Sequence, residues 1–112
     1  MAGAEEALKF YLDLFGDDFY LEVQRHETHD PDADRTAFPL QQKVIEGLKK
    51  LAARHNVKVI ATNDVHFIEA QDAEAHDRLI CINTAKDVDD PDRLRYSKQE
   101  YLKSEEIGRA HV

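Results

Sequence analysis

The chain has 112 residues, with 42% hydrophobic and 34% charged side chains and a formal net charge of −8, which fits one small domain and not two. This acidic balance argues against a surface that grips a nucleic-acid duplex, because like charges repel the phosphate backbone. No apolar run reaches the roughly 20 residues that cross a bilayer, no secretory signal is visible, and the single cysteine favours a reducing, cytoplasmic location.

The first third of the chain predicts a helix, a strand and a long loop. Apolar residues recur at helical spacing over 4–15, and Gly16 is a natural end for that helix. Residues 19–24 are rich in aromatic and β-branched side chains, which favours a strand. The polar residues 25–36 then predict a loop of a length that is often functional or mobile.

The middle of the chain predicts a helix followed by a second strand. Residues 38–55 form an amphipathic pattern, and Asn56 can take the left-handed position that ends a helix. Its apolar face contains Leu40, Val44, Leu48, Leu51 and Ala52. The mostly apolar residues 57–61 predict a short strand buried on both faces. Strand, helix and strand at this spacing indicate a βαβ unit with parallel strands, and therefore an α/β fold.

The remaining third predicts mostly helix and connector. Asp72 is a suitable N-cap for a helix over 73–84, and Cys81 is expected to be a small core residue of that helix. Residues 87–95 are polar and predict a connector, and residues 98–103 predict a short last helix. Two strands are too few for an independent α/β domain, so the chain is expected to be an incomplete piece of a larger protein.

Polar residues follow both predicted strands, where functional groups of parallel α/β folds collect. Asp64 and His66 come just after the second strand, and two residues apart in an extended segment they can approach one divalent ion. The alternative is that Asp64 caps a turn and His66 is an ordinary loop residue. Other polar residues at this edge are candidates for orienting a ligand or contacting a substrate, with a half-exposed strand end as the alternative: Glu22, Gln24, His26 and Asn63.

Other catalytic patterns are absent from the sequence. There is no Gly-rich phosphate loop, no Ser-His-Asp or Cys-His pairing, and no basic patch with interleaved aromatic residues. His76 lies on a predicted helix and is expected to be a packing residue. Because catalytic metals normally take three or more protein ligands, any partners of Asp64 and His66 are expected elsewhere in a longer parent chain.

Four motifs together resemble a known family. They are Phe-Tyr-Leu-Glu-Val-Gln-Arg-His at 19–26, Gln-Gln-Lys-Val at 41–44, Ala-Thr-Asn-Asp-Val-His-Phe at 61–67 and Asp-Ala-Glu-Ala-His-Asp at 72–77. In their order and spacing, residues 4–105 resemble the PHP (polymerase and histidinol phosphatase) domain of bacterial DNA polymerase III alpha subunits. The resemblance implies a distorted parallel β/α barrel with a metal cluster at the C-terminal ends of its strands, of which this chain is the C-terminal part.

The resemblance also implies which residues hold metal. The family's last metal-binding motif, Asp-x-His, matches Asp64 and His66. Glu22, Gln24 and His26 match the family pattern, but they are not carried over as ligands. The earlier family motifs, including a His-x-His, have no counterpart in this chain. The implied metals are zinc, manganese or iron in the PHP site, and magnesium in a polymerase site outside this chain.

The function that the resemblance implies is that of a parent enzyme. The parent is expected to be a replicative polymerase that makes DNA from deoxynucleoside triphosphates, with metal-dependent 3′–5′ exonuclease activity or a structural role for the PHP domain. Its implied partners are DNA, the sliding clamp, the clamp loader and a proofreading subunit, with no membrane. The isolated chain is expected to be inactive. The alternatives are a piece of a free-standing PHP phosphatase and a small non-catalytic scaffold domain.

The resemblance divides the chain into three parts. Residues 1–86 are expected to belong to the PHP domain, and residues 87–105 resemble the lead-out toward the polymerase core, which disfavours a free-standing phosphatase. Residues 106–112 match nothing expected there and read like a translated sequencing adapter. His111 is therefore expected to have no function.

Overall fold

The computed structural model describes residues 2–110, which form a parallel two-stranded sheet with flanking helices. Its elements, in chain order, are α1 (Ala2–Phe15), β1 (Tyr20–Gln24), α2 (Ala37–His55), β2 (Lys58–Thr62), α3 (Ala73–Thr84) and α4 (Glu105–Ala110). The predicted α/β class is confirmed, and so is the order from α1 to α3, with boundaries that differ by two residues or fewer. Two 3-10 turns, Gly16–Asp18 and Ala70–Asp72, precede β1 and α3.

The residues that end the first two helices are those that the sequence predicted. Gly16 adopts a φ of 56° at the end of α1, a conformation that glycine takes without a Cβ penalty. Asn56 is left-handed with a φ of 53°, and its N–H donates to the carbonyl of Ala52. Asp72 does lie at the N-cap of α3, but its carboxylate accepts a hydrogen bond from the Glu69 N–H at 3.0 Å and so closes the preceding turn.

The two strands are parallel neighbours, as predicted. Tyr20 lies opposite Lys58, and Gln24 lies opposite Thr62. Because both strands run in the same direction, the residues that follow them meet at one edge of the sheet. This register brings the polar residues after β1 close to those after β2.

The prediction that the second strand is buried on both faces is wrong. Four of the five residues of β2 are exposed, including Val59 at 40% and Ile60 at 44%. The reason is that α2 packs mostly on β1 and leaves β2 with little cover. The apolar residues of β2 are typical of a strand that other elements cover on both faces. The described residues cover these faces only in part.

The hydrophobic core lies at the N-terminal ends of the strands. Leu8 of α1, Leu51 of α2 and Val57 form its buried centre, with Leu12, Phe19 and Leu21 packed against it. Cys81 is 7% exposed, which confirms the predicted core position. The first half of the apolar face of α2 is uncovered, since Leu40 is 62% and Val44 50% exposed.

An ion cluster joins α1 to the C-terminal end of α2. The Glu5 carboxylate lies 2.8 Å from Nε2 of His55 and 2.9 Å from Nη1 of Arg54. The hydrogen bonds from His55 and then Arg54 lower the pKa of Glu5 to about 2 from its usual 4.5. Because this pKa is depressed in the folded chain, the contribution of Glu5 to stability is present above about pH 4.5 and is lost as the pH falls toward 2.

The predicted helix over 98–103 is wrong. Residues 97–103, called the strap below, form no helix, and Tyr101 forms a parallel bridge with Phe67. The Leu102 N–H donates to the Phe67 carbonyl at 3.1 Å, so the backbone groups that a helix would need are paired elsewhere. Lys98 has a φ of 66°, which also interrupts a helix.

The chain ends are partly outside the described residues. Residues 106–110 belong to α4. His111 and Val112 lie outside the described residues, so the prediction that His111 has no function concerns a residue that the structure does not describe. Among residues 2–110, no helix combines the length and the apolar character that a membrane crossing requires.

Candidate functional site

The candidate metal ligands lie in the turn after β2, here called the strand-end turn (residues 63–66). Asp64 has a φ of 49°, a left-handed conformation that Asp tolerates better than most residues. The segment is therefore not a regular strand at Asp64, and the approach of Asp64 and His66 to one ion stays a prediction. Nδ1 of His66 lies 2.6 Å from the backbone carbonyl oxygen of Asp64.

This hydrogen bond fixes the tautomer of His66. A carbonyl oxygen can only accept, so Nδ1 carries the hydrogen and the lone pair of the neutral ring lies on Nε2. Metal-binding histidines commonly donate one ring N–H to a backbone carbonyl in this way. The side chains of Asp64 and His66 are both exposed. The pair therefore has the chemistry of two metal ligands, an open carboxylate and an imidazole with a free Nε2.

The described residues do not supply a complete metal site. Within residues 2–110 there is no group of three or more His, Cys, Asp or Glu side chains placed to hold one ion. Catalytic metals normally need at least three protein ligands. Asp64 and His66 could thus provide at most part of a metal site, and the described residues do not offer a third ligand of these types beside them.

His66 also belongs to a cluster of rings. Its ring centroid lies 4.9 Å from that of Tyr96 and 5.5 Å from that of His76. His76 packs in turn against Phe67 at 5.0 Å and Tyr96 at 5.2 Å. Burial, and then the proximity of His66, lower the pKa of His76, which favours its neutral form. The cluster holds one side of the His66 ring while the other ring nitrogen stays open.

The strap fixes the backbone of His66. The Glu100 carbonyl accepts the His66 N–H at 2.8 Å, and Glu100 itself is 2% exposed. Its carboxylate accepts hydrogen bonds from the N–H and hydroxyl of Ser97 at 2.9 and 2.5 Å. Sequence reasoning missed both residues, because a Ser-x-x-Glu spacing inside a polar connector carries no sign of burial.

Asn63 joins the strand-end turn to the strap. Its side-chain amide donates to the carbonyls of Gln99 at 2.7 Å and Tyr101 at 2.8 Å. Its side-chain oxygen accepts from Nζ of Lys103 at 3.4 Å. Both amide hydrogens of Asn63 are therefore used within the chain, in the residue directly before Asp64.

The polar residues after β1 separate into two groups. Glu22 accepts a hydrogen bond from Thr62 of the neighbouring strand, and Gln24 lies 3.4 Å from both of these side chains. His26 is instead buried, at 6% exposure, and its Nε2 lies 3.0 Å from the carbonyl oxygen of Asn63. The sheet edge thus brings Glu22 and Gln24 beside Thr62, and His26 beside Asn63, while Asp64 and His66 are exposed.

An open pocket of about 450 Å³ lies beside the strand-end turn. Asn63 and Val65 line it from the turn, and Arg25 and Lys103 contribute two positive side chains. Burial lowers the pKa of Lys103, and the nearby Glu100 opposes this shift. Glu105 also lines the pocket, and Arg25 pairs with Glu27 at 3.3 Å, so the positive charge of the pocket is partly offset.

A buried ion pair fixes α3 against the connector. Both Nη atoms of Arg93 contact the Asp77 carboxylate, at 2.8 and 2.9 Å, and Nε of Arg93 donates to the Val88 carbonyl. The Arg93 side chain is 1% exposed. The Arg93 hydrogen bonds lower the pKa of Asp77, the residue next to His76. No pattern in the sequence distinguishes the buried Arg93 from Arg95, the other arginine of the same connector, which is less buried.

Comparison with known proteins identifies relatives along nearly the whole chain. It is 38% identical over 104 residues to DNA polymerase III subunit alpha of Campylobacter jejuni, 37% over 108 residues to that of Thermus aquaticus, and 40% over 105 residues to that of Treponema pallidum. The chain is a homologue of one segment of DNA polymerase III subunit alpha. The alignments cover 92%, 96% and 92% of the chain but 8% of each relative. No protein-family model matches the chain.

The Arg93 pair gives a test of the packing around the site. In a polymerase polypeptide that contains this segment, Arg93→Met should increase local opening of α3 by at least about a hundredfold. Loss of one partner of a buried pair costs about 3–5 kcal/mol when the other charge is left unpaired, and here the exposed Arg78 replaces only part of the Arg93 contact. Hydrogen exchange of α3 peptides, followed by mass spectrometry, measures this change.

Arg78→Met is the matched control. Arg78 contacts the same Asp77 carboxylate at 3.1 Å, but its side chain is 47% exposed. A surface pair of this kind contributes at most about 1 kcal/mol. Equal exchange in the two variants would show that Arg93 does not hold α3.

Proposed function

We propose that this chain is a segment of a replicative DNA polymerase and forms the C-terminal part of its PHP-type domain. The observation that carries the proposal is identity of 37–40% to three DNA polymerase III alpha subunits along 92–96% of the chain. The parent then catalyses DNA-directed DNA synthesis from deoxynucleoside triphosphates, with magnesium bound at carboxylates outside this segment. Its partners are DNA, the sliding clamp, the clamp loader and a proofreading subunit, and it works in the cytoplasm.

The extent of the similarity supports a polymerase over the other two candidates. An alignment that spans 108 of 112 residues must include most of the connector and strap, which a free-standing PHP phosphatase would not share. A small scaffold domain is disfavoured by the exposed apolar residues of β2, since an independent domain would cover them. The barrel architecture remains a proposal, supported by the parallel βαβ unit and by the open faces of β2.

Within this segment, Asp64 and His66 are proposed as two ligands of a divalent metal cluster of zinc, manganese or iron. The support is the Nδ1–H of His66 held by the Asp64 carbonyl, which leaves the lone pair of the neutral ring on Nε2. When bound, such a cluster supplies water activation and charge neutralisation for phosphoester hydrolysis. The chain's own part is to orient the two ligands through the strap and to offer Arg25 and Lys103 to a phosphate in the adjacent pocket.

The polymerase proposal predicts a difference between the chain and its parent. The purified 112-residue chain should incorporate no nucleotides on a primed template, because the carboxylates that hold magnesium are outside it. The complete parent polypeptide should extend the primer under the same conditions, as measured by gel electrophoresis of a labelled primer. Primer extension by the chain alone would contradict the proposal, and so would a complete parent that does not extend the primer.

The metal proposal predicts that Asp64→Asn and His66→Asn each weaken divalent metal binding by the parent at least about tenfold. Loss of a group that merely orients a ligand already costs about 10–100-fold, so loss of a ligand should cost no less. Competition with a chelator, followed by metal analysis of the desalted protein, gives the affinity. Asp89→Asn and His29→Asn are the controls, because they remove an exposed carboxylate and an exposed imidazole elsewhere. Unchanged affinity in both site variants would contradict the proposal.

A further inference from the structure

His26 is a buried histidine whose backbone N–H and two ring nitrogens all have partners within the chain. Its backbone N–H donates to Oε1 of Gln41 at 2.8 Å, and Nε2 of Gln41 lies 3.0 Å from Nδ1 of His26. Together these two bonds close a ring between His26, which lies two residues after the end of β1, and Gln41 in the first turns of α2. Nε2 of His26 lies 3.0 Å from the carbonyl oxygen of Asn63, at the end of β2.

The three contacts are consistent with a single tautomer of His26. The Asn63 carbonyl can only accept, so Nε2 of His26 carries the hydrogen. Nδ1 then has the lone pair, which the amide group of Gln41 meets as a donor. The oxygen of that amide accepts from the His26 backbone, so the amide of Gln41 cannot rotate without losing both bonds. Gln41 therefore holds the ring in the orientation in which Nε2–H points at Asn63.

Asn63 is fixed from the opposite side by the strap. Its side-chain amide donates both hydrogens to the carbonyls of Gln99 and Tyr101, and its backbone carbonyl accepts from His26. The next residue is Asp64, which carries the left-handed φ of 49°. Asn63, the first residue of the strand-end turn, is therefore bonded from two directions. The His26 side chain, which follows β1, contacts its backbone carbonyl, and two backbone carbonyls of the strap accept from its side-chain amide.

We infer that His26 is a positioning residue, which Gln41 orients, and that its Nε2–H holds the Asn63 carbonyl and so sets the strand-end turn that presents Asp64 and His66. The consequence for metal affinity rests on the proposed function, whereas the consequence for the turn does not. His26 itself binds no metal in this arrangement, because both of its ring nitrogens are occupied. Its role is to limit the conformations of the turn that carries Asp64 and His66.

The test compares three variants in the complete parent polypeptide. His26→Leu removes both ring nitrogens, His26→Gln keeps one donor and one acceptor, and His29→Leu is a control at an exposed histidine of the same loop. His26→Leu should weaken divalent metal binding about 10–100-fold, and His26→Gln should restore most of the affinity. Amide exchange of residues 64–66 should rise in His26→Leu and stay near the wild-type rate in the other two variants.

A spectroscopic measurement on the unaltered protein makes the test independent of variant folding. Nitrogen-15 NMR of selectively labelled histidine should show His26 with its hydrogen on Nε2 and an unprotonated Nδ1. Observation of the Nδ1–H tautomer would overturn the inference even where His26→Leu fails to fold.

The outcomes separate this inference from the metal proposal. If metal binding depends on Asp64 and His66 but His26→Leu leaves affinity and exchange unchanged, the positioning role is overturned and the metal proposal stands. If the parent binds no metal, the metal proposal fails. Faster exchange of residues 64–66 in His26→Leu, with recovery in His26→Gln, would still support the positioning of the turn.

Discussion

The hydrogen bonds of Asn63 are the interactions on which the rest of the site depends. Asn63 accepts a hydrogen bond from His26 and donates two to the strap, so one residue links the ends of β1 and β2 to a segment more than thirty residues later. Asn63 is partly buried, and withdrawing its amide from water is costly unless the hydrogens have partners, which both do here. The left-handed turn at Asp64 and the tautomer of His66 follow directly after this junction, which is why the ligand pair has a defined geometry on a small sheet.

The second important feature is the incomplete burial of the apolar side chains. The described residues bury a small apolar cluster between α1, α2 and Val57, whereas large apolar side chains of every principal element remain exposed. The aligned relatives are much longer, since the alignments cover 8% of each of them. The polar junction and the buried Arg93–Asp77 pair therefore contribute more to local order here than in a domain with a large core. These interactions hold the strand ends while the faces of β2 stay open.

Local patterns predicted the elements from α1 to α3 because apolar periodicity and the end residues Gly16 and Asn56 agree with each other. The strap was predicted as a helix because its pairing with Phe67 is non-local and leaves no local pattern. Asn63 was recognised as polar and near the site, but its partners lie 36 and 38 residues away, so its joining role could not be deduced. Asp64 and His66 were singled out from their spacing, and the left-handed φ of Asp64 shows that the segment is not a regular strand there, so their joint role as ligands stays a prediction.

The central claim is that this chain is a segment whose sheet needs further cover. Differential scanning calorimetry of the isolated 112-residue chain tests it most directly, with hydrogen exchange as the second observable. The account predicts a broad transition of low enthalpy and weak amide protection, because the exposed faces of β2, α1 and α2 are left in water. A single sharp transition with an enthalpy near roughly 0.7 kcal/mol per residue, together with strong protection, would show an independent domain and contradict the account.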